Sequence, residues 1–320
     1  MPTKQPLVSI CMPCYNHEHF IAQAIESCLA QTYKDIEIIV GDDRSTDGTW
    51  AIVERYRDAH PDIVKPFRNE CNRGVTPNCN AILRRCTGKY IAFHSGDDLY
   101  LPEKLQRQVA AMESASAVLS YHDVEVFDSD SGATLRHWNS GPDSFAPVVG
   151  NSHEVARRLV EDGTVFMAAL SVMVLRTAMS VGFDERVRVA SDWLAWIEVC
   201  AGAEGAVVHV DDVLARYRRH NTNVSSDFRN YFDDELISLA IVEHRYPEFV
   251  EAGAINKRRR GLSYREAVHY IGRGHEKIGR NYLLASLGHP AYTGKALVRW
   301  LFSFAGMSSI LKRSDRWPCS

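Results

Sequence analysis

Short apolar segments alternate with amphipathic segments over residues 1–130, and this alternation limits the possible folds more than any other feature. Residues 7–13 (LVSICMP), 36–43 (IEIIVGDD) and 89–95 (KYIAFHS) are strand-like runs separated by stretches in which apolar residues recur at helical spacing. Strands that alternate with helices form a mostly parallel sheet with helices on both faces. The sequence therefore predicts an α/β fold.

The pattern is looser in the second third of the chain and mainly helical in the last third. Residues 117–127 and 166–176 are apolar enough to form strands, and residues 205–218 are predicted to form a strand pair or a strand and a turn. We place a domain boundary at the change to helix. Residues 1–225 are predicted to be the α/β domain, and residues 226–320 a helical C-terminal region.

Charge is distributed unevenly between these two parts, although the formal net charge of the chain is only −3. Residues 251–320 hold 13 Lys and Arg against 4 Asp and Glu, so the rest of the chain is acidic. Both 257–260 (KRRR) and the apolar, Lys/Arg-bracketed 295–313 fit either ordinary helix faces or peripheral contact with an anionic membrane. No nucleic-acid motif accompanies the basic residues, so nucleic acid is not an expected partner.

The localisation expected from the sequence is cytoplasmic. No segment reaches the roughly 20 apolar residues that a membrane-spanning helix needs, and residues 7–13 lead directly into polar residues, unlike a secretion signal. Eight cysteines at irregular spacing are typical of reduced thiols. If the basic region contacts lipid, the protein is expected at the inner face of the cell membrane.

Cys11 and Cys14 form a C-x-x-C pair that His17 and His19 follow closely. A redox pair needs a helix N-terminus to lower the pKa of one thiol, and a structural zinc site needs four ligands. Cys11 falls instead within a predicted strand, which favours simple packing of the two thiols. Zinc binding and redox chemistry are the alternatives.

Polar residues follow three predicted strands at the point where each strand ends. They are Pro13-Cys14-Tyr15-Asn16, Asp42-Asp43 and Gly96-Asp97-Asp98. Ligands bind beyond the carboxyl ends of the strands in open α/β sheets. Converging carboxylates repel one another unless a cation or a hydrogen-bonding ligand is present. The sequence therefore predicts a metal-assisted ligand site at this edge.

Taken in order, these motifs resemble the nucleotide-binding half of the family 2 glycosyltransferases, which are inverting enzymes of the GT-A fold. The resemblance rests on VSICMPCYN (8–16), DDRSTDGT (42–49) and GKYIAFHSGDD (88–98); it is close over residues 7–110 and loose over residues 160–225. It implies a nucleoside-diphosphate sugar donor, most simply UDP-linked. The implied acceptor is a hydroxyl of a glycan or a lipid-linked saccharide, as in bacterial polysaccharide and lipopolysaccharide assembly.

The resemblance also implies roles for residues at the ends of the first two strands. Pro13 and Tyr15 are expected beside the nucleobase. Asp43, together with Asp42, is expected to accept the imide N–H of uracil.

The later motifs imply the metal site and the catalytic base. Asp97 is expected near the ribose or the metal, and Asp98 is expected to ligate Mg²⁺ or Mn²⁺, hard ions that suit carboxylate oxygens. Asp192 opens a predicted helix and is the expected base for the acceptor hydroxyl. The segment YRRHNTNVS (217–225) resembles the family's Y-R-x-H-x-x-N-x-S, and its Arg218 and His220 are expected to reach the diphosphate or the metal. Each of these residues also has a structural interpretation, as a turn cap, a helix N-terminal charge or a hydrogen-bonded side chain.

Two departures from the family pattern bear on these roles. The usual D-A-D-D appears as SGDD (95–98), without the first carboxylate, and A-R-N appears as NCN (78–80), without the Arg. Two alternative functions stay open. A sugar nucleotidyltransferase normally has a Gly-rich loop after the first strand, which CMPCYNHEH (11–19) lacks. A non-catalytic member would bind the nucleotide sugar as an assembly partner.

Overall fold

The computed structural model of the 320-residue chain describes residues 5–138, 146–163, 166–223 and 228–304, without the side chains of residues 228–230 and 302–304. Two parts of the sequence predictions therefore lie outside the described residues: the end of the YRRHNTNVS segment (224–225) and the end of the amphipathic C-terminal segment (305–313).

The chain divides into two compact units. The first comprises the residues up to Leu159 together with Gly163–Ser238, and the second comprises Val160–Asp162 and the residues from Leu239 onward. The first unit contains the described sheet, and the second consists of helices.

Strands and helices alternate through the first half of the first unit, as the apolar pattern predicts. The elements are β1 (Val8–Cys14), α1 (Ile21–Leu29), β2 (Ile36–Asp42), α2 (Thr49–Ala59), β3 (Val64–Arg68), α3 (Val75–Leu83) and β4 (Tyr90–Phe93).

The second half of this unit is less regular. It contains β5 (Leu99–Tyr100), α4 (Lys104–Ala115), β6 (Ala117–Asp128), β7 (Thr134–Trp138), β8 (Gly150–Asn151), α5 (Ser152–Asp162), β9 (Met173–Leu175), α6 (Ser191–Gly202) and β10 (Ala206–Arg219).

The described strands form one mixed sheet in the order β3-β2-β1-β4-β9-β6-β10-β5, with β7 beside β6 and β8 beside β10. The strands β3, β2, β1 and β4 are mutually parallel, and β6 and β10 are parallel to each other. The strand β9 is antiparallel to both of its neighbours. Because parallel strands end at the same edge, the residues that follow β1, β2 and β4 meet there.

The core explains why the first strands are so apolar. Every residue of β2 is buried, as are all residues of β1 except the partly exposed Pro13, because a parallel sheet is covered by helices on both faces. Glu37 and Asp42 are the charged residues of β2. Burial alone raises the pKa of Glu37, but hydrogen bonds from Lys65, Ser9 and Thr87 outweigh that effect and lower the pKa to about 2.

Two strand predictions need correction. Residues 166–176 do not form one strand: a 3-10 helix (Ala169–Ser171) precedes the short β9, and Gln108 donates from Nε2 to the Ser171 carbonyl at 2.8 Å. Residues 205–218 form neither a strand pair nor a strand and a turn but belong to the single strand β10, in which the register against β6 shifts between Val210 and Val213. An apolar run does not distinguish these possibilities, since all of them bury the same side chains.

The C-terminal residues are helical, as the sequence predicts. The helices are α7 (Phe228–Arg245), α8 (Pro247–Glu251), α9 (Ala254–Gly272), α10 (Glu276–Ala285) and α11 (Thr293–Phe304). The second unit has its own apolar cluster, which includes Tyr264, Ile271 and Leu283. Within the described part of the chain, none of the helices combines the length and the apolar character that crossing a bilayer requires.

Acidic partners surround part of the basic 257–260 run in the second unit. Lys257 forms ion pairs with Glu161 and Asp162 at 2.9 and 3.0 Å, and Arg259 pairs with Glu243. These pairs give this run a role in the fold of the second unit.

Candidate functional site

The loops that follow β1 and β2 are joined by side-chain hydrogen bonds. The backbone N–H of Asn16 donates to Ser45 Oγ at 3.0 Å, and Asn16 Oδ1 accepts the N–H of Thr46 at 2.8 Å. The N–H of His17 donates to Thr49 Oγ1 at 2.8 Å. Asn16 has a φ of +53°, a left-handed conformation that Asn tolerates better than most residues. The two strand ends therefore form one continuous surface.

Cys11 and Cys14 lie inside β1, and both thiols are buried and free. Burial raises the pKa of Cys14, and the charge of Asp42 raises it further. A buried strand position does not provide the helix N-terminus that would activate a thiol.

Asp42 is used by the fold. Its carboxylate is fully buried, accepts the N–H of Ser45 at 3.2 Å and forms an ion pair with Arg68 Nε at 2.9 Å. These contacts hold the turn after β2, which is the capping role that remained open from the sequence.

Asp43 lies one residue further along, and its carboxylate organises the beginning of α3. Oδ1 accepts Asn69 Nδ2 at 2.8 Å and the N–H of Arg73 at 2.9 Å, and Oδ2 accepts the N–H of Gly74 at 2.8 Å. A carboxylate has about four acceptor positions, so three protein donors leave room for one more. Of the first two predicted carboxylates, Asp43 is the one with acceptor capacity for a ligand.

Pro13 and Tyr15 flank the end of β1. The Pro13 carbonyl accepts the N–H of Gly96 at 3.1 Å, which ties the end of β1 to the loop after β4. Tyr15 is 41% exposed, an unusual position for a large aromatic side chain beside a buried sheet.

Asp97 lies in a polar cluster with residues from β10 and the loop after it. Its Oδ2 is 3.0 Å from His220 Nε2 and 3.4 Å from Asn223 Nδ2, and Ser95 Oγ also donates to the carboxylate. Burial raises the pKa of Asp97, but the contact with His220, the charge of His17 and the bond from Ser95 outweigh it and lower the pKa to about 2. Asp97 is therefore a carboxylate at neutral pH.

Asp98 points into the protein and is 3% exposed. Its Oδ1 accepts the backbone N–H of Arg218 at 2.9 Å, a bond that anchors β10. Burial, and then the charge of Asp97, raise the pKa of Asp98.

Arg218 is buried rather than open to a ligand. Its Nε donates to the Asp97 carbonyl and its Nη2 to Gln23 Oε1, both at 2.7 Å, and its guanidinium lies 5.1 Å from the centre of the Phe20 ring. The same phenyl ring packs against the imidazole of His220 at 4.6 Å between centroids.

His17 and Asn223 are members of this cluster that the sequence analysis did not assign to it. Burial lowers the pKa of His17, and the charge of Asp97 opposes that shift. Asn223 also accepts the N–H of His220 at 2.7 Å. The signal for Asn223 was present in the motif H-x-x-N, and the signal for His17 was its place directly after β1.

His17 and Cys14 together leave no room for the usual Ala at position 96. A Cβ atom at Gly96 would lie 2.7 Å from His17 Nδ1 and 2.8 Å from Cys14 Cβ. Both distances are far below van der Waals contact, so the departure from D-A-D-D accompanies an imidazole at position 17.

Gly96→Ala is therefore expected to lower the free energy of unfolding by about 1–3 kcal/mol, the usual cost of overpacking. The measurement is urea unfolding. Gly202→Ala is the matched control, because nothing lies within 4 Å of a Cβ there, and its unfolding free energy should not fall. In a His17→Ala background the loss caused by Gly96→Ala should shrink. A wild-type unfolding curve for Gly96→Ala would contradict this explanation.

Asp192 lies in the first turn of α6 and is partly exposed. Its Oδ1 accepts the N–H of Trp193 at 2.9 Å. Burial raises its pKa above the ordinary value of Asp, and the bond from Trp193 opposes the shift only in part. A carboxylate with a raised pKa has the property that a general base needs.

Hydrogen bonds connect Asp192 to the Asp43 region through α3. Gly74, which donates to Asp43, precedes α3 directly, and Thr76 lies in the first turn of that helix. Thr76 Oγ1 contacts the Val187 carbonyl at 2.7 Å and Ser191 Oγ at 3.0 Å. The segment that precedes Asp192 is therefore hydrogen-bonded to the first turn of α3, the helix whose beginning Asp43 holds.

The residues that could hold a metal ion are Asp97 and His220. Among the residues that the structure describes, no three His, Cys, Asp or Glu side chains are arranged to hold a metal on their own. Mg²⁺ at phosphate-transfer sites is usually held by one or two carboxylates together with substrate phosphates and water. A carboxylate beside an imidazole fits a divalent ion that a diphosphate completes.

The sequence of this chain is similar to those of known glycosyltransferases. The family model described as Glycosyl transferase family 2 matches residues 9–178. The protein named "Putative glycosyltransferase EpsE" from Bacillus subtilis (strain 168) is 44% identical over 200 residues, which are 60% of this chain and 67% of that protein.

Solved structures share the fold at low sequence identity. The crystal structure of S. aureus TarS 1–349 with UDP-GlcNAc has a TM-score of 0.66 at 14% identity and covers 97% of this chain and 93% of that one. Mannosyltransferase PcManGT from Pyrobaculum calidifontis, in complex with GDP-Man and Mn²⁺, has a TM-score of 0.58 at 17% identity and covers 97% and 86%. These likenesses confirm the predicted GT-A fold. Because the family model extends over more than half of the chain and includes the strand ends that carry Asp43 and Asp97, the chain belongs to glycosyl transferase family 2.

Proposed function

We propose that this protein is an inverting glycosyltransferase that moves a sugar from a UDP-linked donor to a hydroxyl of a glycan or lipid-linked acceptor. The observation that carries the proposal is that Asp43 follows β2 and Asp97, in contact with His220, follows β4, and that these two strands are the parallel neighbours of β1. In addition, the segment before Asp192 is hydrogen-bonded to the helix whose beginning Asp43 holds. Asp43 suits a hydrogen bond from a nucleobase, Asp97 with His220 suits a metal-bound diphosphate, and the carboxylate of Asp192 suits proton removal.

The nucleobase site is formed by Tyr15, Pro13 and Asp43. The exposed ring of Tyr15 offers a stacking surface, and base–aromatic stacking contributes roughly 1–3 kcal/mol per base. The remaining acceptor position of Asp43 takes the imide N–H of uracil. Asp42 supports this site by holding the turn, since its oxygens already have protein partners. TarS, with bound UDP-GlcNAc, supports a UDP donor, whereas PcManGT with GDP-Man shows that the fold also admits another base.

The diphosphate site is formed by Asp97 and His220, which would hold Mn²⁺ or Mg²⁺. When bound, the ion supplies neutralisation of the charge that develops on the departing nucleoside diphosphate. The Mn²⁺ in PcManGT supports a divalent ion in this fold. We assign Arg218 to the fold, because its guanidinium bonds to the Asp97 carbonyl and to Gln23. We assign Asp98 to the fold as well, because its Oδ1 accepts the backbone N–H of Arg218 and it is 3% exposed.

Asp192 is the general base. Its carboxylate takes the proton of the acceptor hydroxyl while that oxygen attacks the anomeric carbon. A single base and direct displacement invert the configuration at that carbon. The raised pKa of Asp192 brings its proton affinity closer to that of a working base, and its partial exposure leaves the carboxylate within reach of an acceptor.

The C-terminal helices are proposed to keep the enzyme at the inner face of the membrane. Leu297, Val298 and Leu301 are exposed on α11, at 45%, 48% and 63%. Apolar side chains next to Lys295 fit an interfacial helix that lies on an anionic lipid surface.

Two other functions are distinguishable from this proposal. A sugar nucleotidyltransferase would form the nucleotide sugar from a nucleoside triphosphate, and the absence of glycine between Cys11 and His19 argues against it. A non-catalytic partner would bind the donor without turnover, but the raised pKa of Asp192 is a feature of a working base.

Thermal-shift measurement with UDP and GDP, each with Mn²⁺ or with a chelator, tests the binding part of the proposal. UDP with Mn²⁺ should raise the melting temperature most, because saturation to 100 times Kd adds about 2.7 kcal/mol to stability. A screen of UDP-sugars for UDP release then tests turnover. No shift with any nucleoside diphosphate would refute the proposed function, and a shift without turnover would favour the non-catalytic alternative.

A further inference from the structure

Asp234 makes the most concentrated set of backbone contacts next to the proposed base. It lies in the part of α7 that belongs to the first unit and is 4% exposed. Its carboxylate accepts three consecutive backbone N–H groups, those of Arg188 at 3.1 Å, Val189 at 2.7 Å and Ala190 at 2.9 Å. These residues directly precede Ser191, where α6 begins.

The segment that Asp234 holds has no regular structure of its own. Residues 187–190 belong to neither a helix nor a strand, so their conformation depends on contacts from outside the segment. Hydrogen bonds to an ionised acceptor are about twice as strong as neutral ones. Asp234 makes three such bonds from one buried carboxylate, so it is the main acceptor for the backbone N–H groups of the segment.

Thr76 contacts the backbone carbonyl groups of the same segment. Its Oγ1 is 2.7 Å from the Val187 carbonyl and 2.9 Å from the Arg188 carbonyl. The segment is therefore fixed between α3 and α7, and Asp192 follows it by two residues. A displacement of the segment would move the carboxylate of Asp192 relative to the donor site.

We infer that Asp234 is a positioning residue for Asp192: it fixes residues 188–190 so that the base faces the acceptor oxygen. This inference rests on the proposed function, since it needs Asp192 to be the base. The bonds that the described residues make to the Asp234 carboxylate come from backbone amides, so Asp234 acts through Asp192 and not on the substrate. Its loss should reduce turnover while leaving the UDP site intact.

Asp234→Asn tests this role, with Asp233→Asn as the matched control. Asp233 is the preceding residue on α7, has the same charge and is exposed. Asn keeps the shape of Asp but places an N–H₂ group against amide donors. Turnover, measured as UDP released from a UDP-sugar with a lipid-linked saccharide as acceptor, should fall about 10²-fold for Asp234→Asn. UDP affinity with Mn²⁺ should not change, and Asp233→Asn should match the wild type in both.

The double variant Asp192→Asn with Asp234→Asn separates positioning from a general loss of structure. If Asp234 acts through Asp192, removing it from an enzyme that already lacks the base should add little further loss. Multiplication of the two single losses, or weakened UDP binding by Asp234→Asn, would overturn the inference. If Asp234→Asn does not fold, Asp234→Glu keeps the charge but shifts the carboxylate, and it should lower turnover with UDP affinity unchanged; wild-type turnover in it would overturn the inference.

The two proposals fail in different ways. If Asp192→Asn keeps full turnover, the assignment of the base is wrong and the proposed mechanism fails with it. If Asp192→Asn loses turnover while Asp234→Asn keeps it, only the positioning role is refuted.

Discussion

Asp192→Asn is expected to lower kcat for sugar transfer by about 10²–10⁴-fold, the usual contribution of a positioned general base. Asn has nearly the same shape and can still accept the N–H of Trp193, so the geometry of α6 is retained. What is lost is the ability to take a proton. UDP binding should not change, because the nucleobase and diphosphate sites consist of other residues.

The same variant should not destabilise the protein. Burial raises the pKa of Asp192 in the folded state, so the folded protein binds this proton more tightly than the unfolded chain does. By linkage, Asp192 lowers the stability of the folded state once the pH rises above the pKa that this group has in the unfolded chain. The cost is largest above its pKa in the folded protein. A neutral Asn removes that cost. The melting temperature at pH 7 should stay the same or rise, which is the expected exchange of stability for activity at a catalytic residue.

The pH dependence of the wild-type enzyme gives a second measurement of the base. Transfer requires the ionised carboxylate, so kcat should fall as the pH decreases through the raised pKa of Asp192. This acidic limb should be absent from the residual activity of Asp192→Asn. Asp233→Asn serves as the control with an exposed carboxylate of the same charge. Full activity in Asp192→Asn with an unchanged pH profile would exclude Asp192 as the base.

The strand-end carboxylates show which part of the site could be predicted from the sequence. Strand–helix alternation predicts parallel strands, and parallel strands bring their carboxyl ends to one edge. From this, the neighbourhood of Asp43 and Asp97 follows without coordinates. The contact between Asp97 and His220, 123 positions apart, does not follow from periodicity, and the resemblance predicted only that His220 would reach the metal or the diphosphate.

The direction of each carboxylate is what the sequence could not supply. Asp42 bonds the turn after β2 while Asp43 bonds the beginning of α3, and Asp97 lies in the cluster with His220 while Asp98 bonds the backbone of β10. In each pair the two carboxylates meet different partners, although all four are buried. The partner that each carboxylate meets, such as Arg68 for Asp42 and the N–H of Arg218 for Asp98, comes from another part of the chain.

Asp234 was missed for a related reason. Nothing in its local sequence distinguishes it from Asp233, since both stand in an amphipathic helix. Its role appears only when α7 packs against the backbone of residues 188–190. Backbone amides leave no trace in a sequence motif, because any non-proline residue provides them.

Asp97→Asn is expected to remove the Mn²⁺ dependence of UDP binding and to reduce transfer by at least about 10²-fold. A ligating carboxylate supplies the charge that attracts a hard divalent ion, and even the loss of an outer-shell partner of a metal ligand usually costs 10–100-fold in metal affinity or activity. The measurement is titration calorimetry of UDP binding with Mn²⁺ and with a chelator. Wild-type protein should bind UDP more tightly with Mn²⁺, and Asp97→Asn should bind it equally in both.

The adjacent Asp98→Asn is the matched control, because it removes one carboxylate from the same dipeptide. Its Oδ1 would still accept the N–H of Arg218, which is the contact that Asp98 makes in the fold. The Mn²⁺ dependence of UDP binding should therefore persist in Asp98→Asn. Loss of that dependence in Asp98→Asn, with Asp97→Asn unchanged, would instead make Asp98 the metal ligand. Loss in both would indicate that the ion needs the two carboxylates together, and that the bond to Arg218 opens when the donor binds.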